Sequence, residues 1–508
     1  TVFGNNTIQT WLMEPQLTYR RAIGAGKLDI LIGSALQENV SNGTSVIASG
    51  FSNDIVMDDV RSASLVNPSG SARSTYRYNA VFGRINYNWE NKYIINLTAR
   101  RDGSSRFGAE RRFHNFGAVG GAWVFTEEKW HEHLPFLSFG KLRASYGTTG
   151  SDQIPDYQFL SMYQPVTYEV PYQGIPTYAP EQLSNPYLQW ESTRKTQVGL
   201  DLGFFKDRVQ LNVNYYLNRS DNQVSGYLLA ATSGFETIYK NQPFKIKNTG
   251  WEFLLSGTVL QTGDFTWNSS FNFTIPKTLL MDYPGVDKTS DASRKIIGKP
   301  MGSTYAYQLL GVDPQTGVYI FGSSDGNPTS SPVLKDQNVI VNPFPTSYGG
   351  FQNSFRYKRF TLDLMFQFVK QMAKNYSYGS LQYTVGGFSE GEGNQTVAML
   401  DRWQKPGDEA RIQRYSAQFN YFTPLYLAKE LSNGGISDAS YIRLKNLSFS
   451  WQLPERWMKT VKLHQGSIFI QGQNLLTITN YTGLDPETKS STILPPLRVI
   501  TFGAKLSF

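Results

Sequence analysis

Every second residue of the stretch RVITFGAKLSF, 498–508, is apolar: Ile500, Phe502, Ala504, Leu506 and Phe508 alternate with Thr501, Gly503, Lys505 and Ser507. A period of two marks a strand with one apolar and one wet face. The pattern recurs. In KTQVGLDLGFF (195–205), Val198, Leu200, Leu202 and Phe204 alternate with Gln197, Gly199, Asp201 and Gly203. RVQLNVNYYLN (208–218), FTWNSSFNFTI (265–275) and RFTLDLMFQFVK (359–370) read the same way. About fifteen such strands are predicted, most of roughly ten to thirteen residues, close to the 9–11 of a tilted membrane strand and longer than the 5–6 usual in soluble sheets. The wet face carries Asn, Gln, Thr and Gly more than Lys and Glu, which suits a polar lumen better than open solvent.

The connections alternate in length. GAGK (24–27), WEN (89–91), KD (206–207), QTGD (261–264) and KR (358–359) are tight. Between them lie long segments: 38–76, the shorter DGSSRFGAER from 102, 219–247, 277–349 and 371–440. Two intermediate connectors, 126–138 and 454–466, fall in the tight series, with room for a short helix in each. Short periplasmic turns and long extracellular loops are the habit of outer-membrane barrels. The expected fold is therefore all-β, a transmembrane antiparallel β-barrel. Counted from the tight turns, the last strand runs from outside to the periplasm, and Phe502, Leu506 and Phe508 form the apolar C-terminal signal for barrel assembly. Single-chain bacterial barrels have an even strand number. With the first of about fifteen strands starting outside, residues 1–508 are expected to be the C-terminal portion of a larger barrel, with an odd number of strands upstream. Tyr87, Trp89, Tyr93, Phe204, Phe205 and Phe265 flank tight turns, as an interfacial aromatic girdle would.

Composition narrows the classes further. Aromatic residues make up 14% of the 508, yet mean hydropathy is only -0.37. Half of each barrel strand is polar, so a low mean fits a barrel, while no run of about eighteen apolar residues offers a membrane helix. The absence of cysteine removes disulfides and thiolate metal sites. Of the four histidines, His131 and His133 in HEH read as a surface turn rather than metal ligands. The net charge of +8 is scattered, with YRR, ARRD and ERRF at strand ends, and is not gathered into a nucleic-acid patch. No nucleophile–base pair, Ser-centred elbow or metal set stands out, and GTTGSDQ (147–153) lacks the Lys of a phosphate loop, so no enzyme is expected. An adhesin would show repeats or shorter strands.

Six segments, in order, resemble the SusC/RagA-type TonB-dependent transporters of the Bacteroidetes outer membrane: NLTARRDGSSRFG (96–108), KLRASYGTTGSDQI (141–154), IKNTGWEF (246–253), DRWQKPGDEARIQRY (401–415), SDASYIRLKNLSFSWQLP (437–454) and QGQNLLTITNYTGLDPE (471–487). The resemblance implies a barrel of about twenty-two strands, wide enough to need an N-terminal plug. Plug and early strands would lie outside residues 1–508. It also implies TonB acting through the plug segment, a SusD-type surface lipoprotein as lid, outer-membrane lipid around the wall, and a dimer of barrel–lid pairs. Cargo would be an oligosaccharide or oligopeptide, with no cofactor. Gln413 stands where the family usually has Pro, and SSDGN (323–327), with Asp325 as its one carboxylate, reads as a plain turn rather than a calcium loop.

On that reading the aromatics of the long loops are candidate contacts to cargo or lid: Tyr163, Tyr168, Tyr172, Tyr178, Tyr187 and Trp190 in one loop, Tyr305, Tyr307 and Tyr319 in another. The same rings would serve to pack loop against loop. Arg100, Asp102, Lys141, Arg143, Asp201 and Asp363 are expected to face the lumen and pair with the plug. A passive pore or structural barrel without energy coupling shares every wall feature and is the alternative.

Overall fold

The computed structural model describes residues 1–166, 175, 177–288, 295–375, 400–415, 422–490 and 493–508. β1 (Val2–Met13) and β2 (Gln16–Ile23) form one broken line of strand against β3 (Gly26–Ser49). The break is at Pro15, which has no N–H to give the ladder but whose carbonyl accepts from Ser34 N–H at 3.1 Å. β4 (Leu65–Trp89), β5 (Tyr93–Ser104), β6 (Phe113–Val124) and β7 (Leu137–Ser151) follow, each antiparallel to the last. A hairpin of β8 (Met162–Pro165) and β9 (Tyr178–Gln182) stands apart from the main sheet. β10 (Glu191–Phe204) and β11 (Val209–Asp221) come next, then a second hairpin, β12 (Gln223–Leu228) with β13 (Thr237–Gln242). After β14 (Lys245–Thr262) and β15 (Phe265–Asp282), four short strands make their own sheet: β16 (Thr304–Val312), β17 (Tyr319–Gly322), β18 (Pro328–Thr329) and β19 (Gln337–Val341). β20 (Ser347–Tyr357), β21 (Phe360–Lys370), the small pair β22 (Met372–Lys374) and β23 (Ile436–Asp438), and then β24 (Tyr441–Gln452), β25 (Gln465–Thr479) and β26 (Val499–Ser507) complete the order.

The main sheet runs β1-β3-β4-β5-β6-β7-β10-β11-β14-β15-β20-β21-β24-β25-β26, with β2 beside β3. Counting β1 and β2 as one line gives the expected number of rows. The tight turns fall where the sequence places them and use left-handed backbone, as two- and three-residue hairpin turns of correct twist require: Gly24, Glu90 with Asn91, Phe205 to Asp207, Gly263 and Lys358 all have positive φ. The two intermediate connectors hold the 3-10 turns Phe125–Glu127 and Lys129–His133, and the helix Glu455–Thr460. His131 sits in the second of these turns, its ring against the Leu137 carbonyl.

The first long connection is shorter than expected. β3 and β4 are 24 and 25 residues long, so only 50–64 is loop. The added strand length pairs residue by residue, with a register shift at Ser45/Val46 that accommodates Pro68.

Alternation along the wall places apolar side chains on the more exposed face, the reverse of a soluble sheet. In β5 Tyr93, Ile95 and Leu97 are exposed while Asn96, Thr98, Arg100 and Asp102 are covered; in β7 Leu142 and Tyr146 are exposed while Lys141 and Arg143 are half-buried. Polar side chains on the covered face and apolar ones outside are what a lipid-facing wall needs. Rings gather at the tight-turn ends: Trp89 lies 5.7 Å from Tyr93, and Trp451 lies 6.1 Å from Phe360 and 5.8 Å from Trp457. Phe502, Leu506 and Phe508 are exposed, and among the described residues β26 pairs only with β25.

The chain divides into two compact units, Thr1–Lys129 with Lys141–Val198 and Leu217–Lys247, and Trp130–Gly140 with Gly199–Tyr216 and Asn248–Phe508. Each unit has a buried hydrophobic cluster, and both clusters are built chiefly from long-connection residues. Phe107, Ile154, Leu188 and Trp190 form one, and Tyr307, Tyr319, Phe321, Leu425 and Ala428 the other.

Candidate functional site on the polar wall face and loops

The six charges expected on the covered face are all buried or half-buried there. Arg100 donates from Nε to Asp102 at 2.5 Å, reaches the Tyr78 hydroxyl, and lies 5.3 Å from the centre of the Phe82 ring. Asp201 accepts from Asn212 at 2.9 Å, and Asp363 stands opposite Ser448 across β21 and β24. Recesses open in this face beside four of these charges. One of about 480 Å³ is lined by Arg84, Thr98, Arg100, Asp102 and Phe116 among others, and one of about 190 Å³ by Lys141, Arg143, Asn96 and Gln197 with Ile94 and small neighbours.

The loop aromatics separate into two groups. Trp190 is buried: its ring lies 5.1 Å from Phe107 and 5.8 Å from Phe116, and its indole N–H donates to the Arg112 carbonyl at 2.9 Å. Tyr307 and Tyr319 are sealed in the second cluster, where burial pushes the Tyr319 phenol up to about 12 and its hydroxyl donates to the Arg411 carbonyl at 3.2 Å. Tyr305 is half-buried. Tyr163, Tyr178 and Tyr187 are 63%, 68% and 74% exposed and present free ring faces. Tyr168 and Tyr172 lie outside the described residues.

Segments distant in sequence meet in these loops. Arg106 donates to Asp156 at 2.8 Å and to the Asp152 carbonyl at 2.9 Å, and its guanidinium lies 4.3 Å from the centre of the Tyr76 ring, whose hydroxyl donates to Asp152 at 2.7 Å. Trp403 donates from Nε1 to the Pro314 carbonyl at 2.9 Å. Gly317 has φ +71°, and a Cβ there would stand 2.3 Å from the Trp403 ring, so only glycine fits on both counts. Gln413 is buried, and its side-chain oxygen accepts from Tyr319 N–H at 3.5 Å, a contact proline could not make. Asp325 is occupied within its own turn by the Ser323 hydroxyl and by Asn327 N–H at 3.2 Å. Asp336 accepts from Val333 N–H at 2.8 Å and Ser324 N–H at 2.7 Å, and these bonds hold its carboxyl below the usual carboxylate range.

Sequence reasoning missed the most buried charge among the described residues. Arg443, 1% exposed at its side chain, donates to Asp485, to Glu487 at 2.5 Å and to Thr477 at 2.9 Å, while Lys445 holds Glu487 at 2.7 Å. The available signal was the pairing of YIRLK with LDPE: two cations in one family-like segment and two carboxylates in another.

A family model described as TonB dependent receptor-like, beta-barrel, matches residues 6–475. The chain belongs to the TonB-dependent receptor β-barrel family. TonB-dependent receptor P3 of Formosa agariphila is 30% identical over 99% of this chain and 52% of its own length. TonB-dependent receptor SusC of Bacteroides thetaiotaomicron is 26% identical over 96% of this chain and 49% of its own. The solved structure of the RagAB peptide transporter superposes with a TM-score of 0.85 at 25% identity, covering all of this chain and 56% of that one. The SusC/RagA resemblance of the six segments thus agrees with both comparisons. The wall described above is a TonB-dependent receptor barrel fold, and the chain spans about half the length of the relatives it matches.

Proposed function

We propose that this chain supplies the wall and loops of an outer-membrane importer of the SusC type, energised by TonB and closed by a SusD-type lipoprotein lid. One observation supports this most: the covered face of the wall is polar and charged, and its recesses call for a hydrated or polar occupant. A plug segment, of this polypeptide or a separate one, is the natural occupant, with Arg100, Asp102, Lys141, Arg143, Asp201 and Asp363 as contacts. The long connections then face outward from the cell and the tight turns the periplasm. Among the described candidates, Tyr163, Tyr178 and Tyr187 are the aromatic faces open to cargo or lid, with cargo either an oligosaccharide or an oligopeptide. In this reading the chain is not an enzyme, and barrel–lid pairs associate as dimers. Mass spectrometry of the complex extracted from outer membrane in mild detergent tests it. Co-purification of a plug segment and a lipoprotein is expected. Uptake that persists when the proton-motive force is collapsed would favour the passive pore instead.

A further inference from the structure

The apolar row of β4 changes character at one level. Val81, Ile85 and Trp89 are exposed, and the same alternation continues toward the loop end with Arg77 and Arg73. Trp11, Glu38 and Arg77 stand in register across β1, β3 and β4. Glu38 accepts from the Arg77 guanidinium at 2.5 Å and from the Trp11 indole at 3.4 Å. On the loop side of that line the row is polar and exposed, with Asn42, Thr44 and Ser71. An indole tied to charged groups, between apolar and polar stretches of one row, marks a membrane–water interface. The spacing recurs. Trp89 and Arg77 on β4 are twelve residues apart, Tyr93 and Arg101 on β5 eight, Phe265 and Lys277 on β15 twelve, and Phe360 and Lys370 on β21 ten. Each interval is even, so cation and ring share the lipid-facing row of their strand. At about 3.3 Å per residue and a tilt of about 40°, such intervals climb about 20–30 Å, the height of an apolar band of about 25 Å. Arg101, Lys277 and Lys370 are exposed and, among the described residues, have no carboxylate at ion-pair distance. The Arg101 guanidinium lies 5.4 Å from the centre of the Phe113 ring, two residues loopward of Asn115, its partner across the ladder. It therefore leans away from the apolar band. Lysines at the tight turns are neutralised instead: Lys92 lies 3.6 Å from Glu90 and 3.8 Å from Glu128, and Lys358 lies 3.7 Å from Asp264.

We propose that these loop-side cations bind the phosphate groups of outer-leaflet lipid, so that the wall keeps anionic lipid at its rim. The proposal rests on the reading above that the long connections face outward from the cell. At this level Arg and Lys lay their stems on apolar surface and hold their charge among head groups. Anionic lipid is the occupant whose charge and depth both match. A dissolved phosphate would be held weakly, because an exposed ion pair gains little in water. A phosphate on a lipid is held twice, by the cation and by acyl chains against neighbours such as Val81 and Leu97, both exposed on the same face.

The complete complex, purified in mild detergent, is incubated with lipid A carrying both phosphates or with the same lipid dephosphorylated, and native mass spectrometry counts the lipid retained. The parent should retain the phosphorylated form over the other by about fivefold or more. Arg101→Gln, Lys277→Gln and Lys370→Gln combined in one protein should abolish that preference with the lipid-free melting temperature unchanged. Arg101→Lys with Lys277→Arg and Lys370→Arg keeps the charge and should keep the preference, which separates charge from any disturbance of the wall. Equal retention of the two lipids by the parent, or an undiminished preference in the Gln variant, overturns the proposal. Orientation is tested apart from lipid. Ile55→Cys, in the exposed 50–64 connection of a 508-residue chain without cysteine, should react with an impermeant maleimide on intact cells. Reaction at that position only after lysis overturns the outward reading, and the proposal with it.

Discussion

Arg443 and Asp485, 42 residues apart, meet side chain to side chain with both closed to solvent, one from β24 and the other from the connection that leads to β26. A buried pair of this kind is most costly when only one partner is removed, because the other charge is left without compensation. Arg443→Ala should lower stability by about 3–5 kcal/mol, seen as a drop in the denaturant midpoint of the protein in detergent. Arg443→Lys should recover only part of the loss, since an ammonium cannot serve Asp485, Glu487 and Thr477 from one planar fork.

Trp190 and Tyr163 were equal candidates as loop aromatics, and the structure separates them. Trp190→Ala opens a cavity beside Phe107 and should cost about 3–5 kcal/mol. Tyr163→Ala, at an exposed ring, should change stability by no more than about 0.5 kcal/mol. If Tyr163 contacts cargo, its loss appears as weaker binding at the cell surface with an unchanged melting temperature.

Gly317→Ala places a methyl group against the Trp403 ring and forces a side chain onto left-handed backbone. The wall should still assemble, while protease cleavage between 301 and 346 rises several-fold over the parent. Equal protection in parent and variant would show that Trp403 has room to move.

Asn353 lies on the apolar face of β20, between Phe351 and Phe355, and accepts from the Trp267 indole at 3.0 Å. Trp267→Phe strands that amide and should cost about 1–3 kcal/mol. The double change Trp267→Phe with Asn353→Leu should return most of it, because neither partner is then left wanting. Chemical denaturation of the four members of this cycle in one detergent decides the matter.

Asp336 supplies a pH dependence. Its folded carboxyl is depressed by the Val333 and Ser324 N–H groups, so its contribution is present above the unfolded value of about 4 and is lost as pH falls through the folded one. Asp336→Asn should be less stable than the parent at neutral pH, and the gap should close as pH drops below about 4. Melting temperatures of both proteins across that range measure the gap.

The wall was legible in the sequence because lipid on one side and water on the other impose a period of two. Tight turns were legible because hairpins of correct twist need residues such as Gly24, Asn91 and Gly263 in left-handed backbone. Legibility failed where that constraint ends. The stretch LVNPSGSARS within β4 shows no apolar alternation, since ladder hydrogen bonds there replace an apolar face as the reason for strand. Loop aromatics were ambiguous because ring content is the same whether Tyr319 closes a core or Tyr178 meets a ligand. The partners of Arg443 were hidden because an ion pair between distant segments leaves no local period.

The wall spends its apolar surface on its surroundings, whereas the long connections keep theirs inside two clusters of their own. One polypeptide thus obeys two solvents at once. Substitutions that redraw the loop surface around Tyr163, Tyr178 and Tyr187 need not disturb the alternation of the wall, and changes to the apolar face of the wall need not disturb the loop clusters. Such a chain can alter its loops and its wall on separate evolutionary schedules.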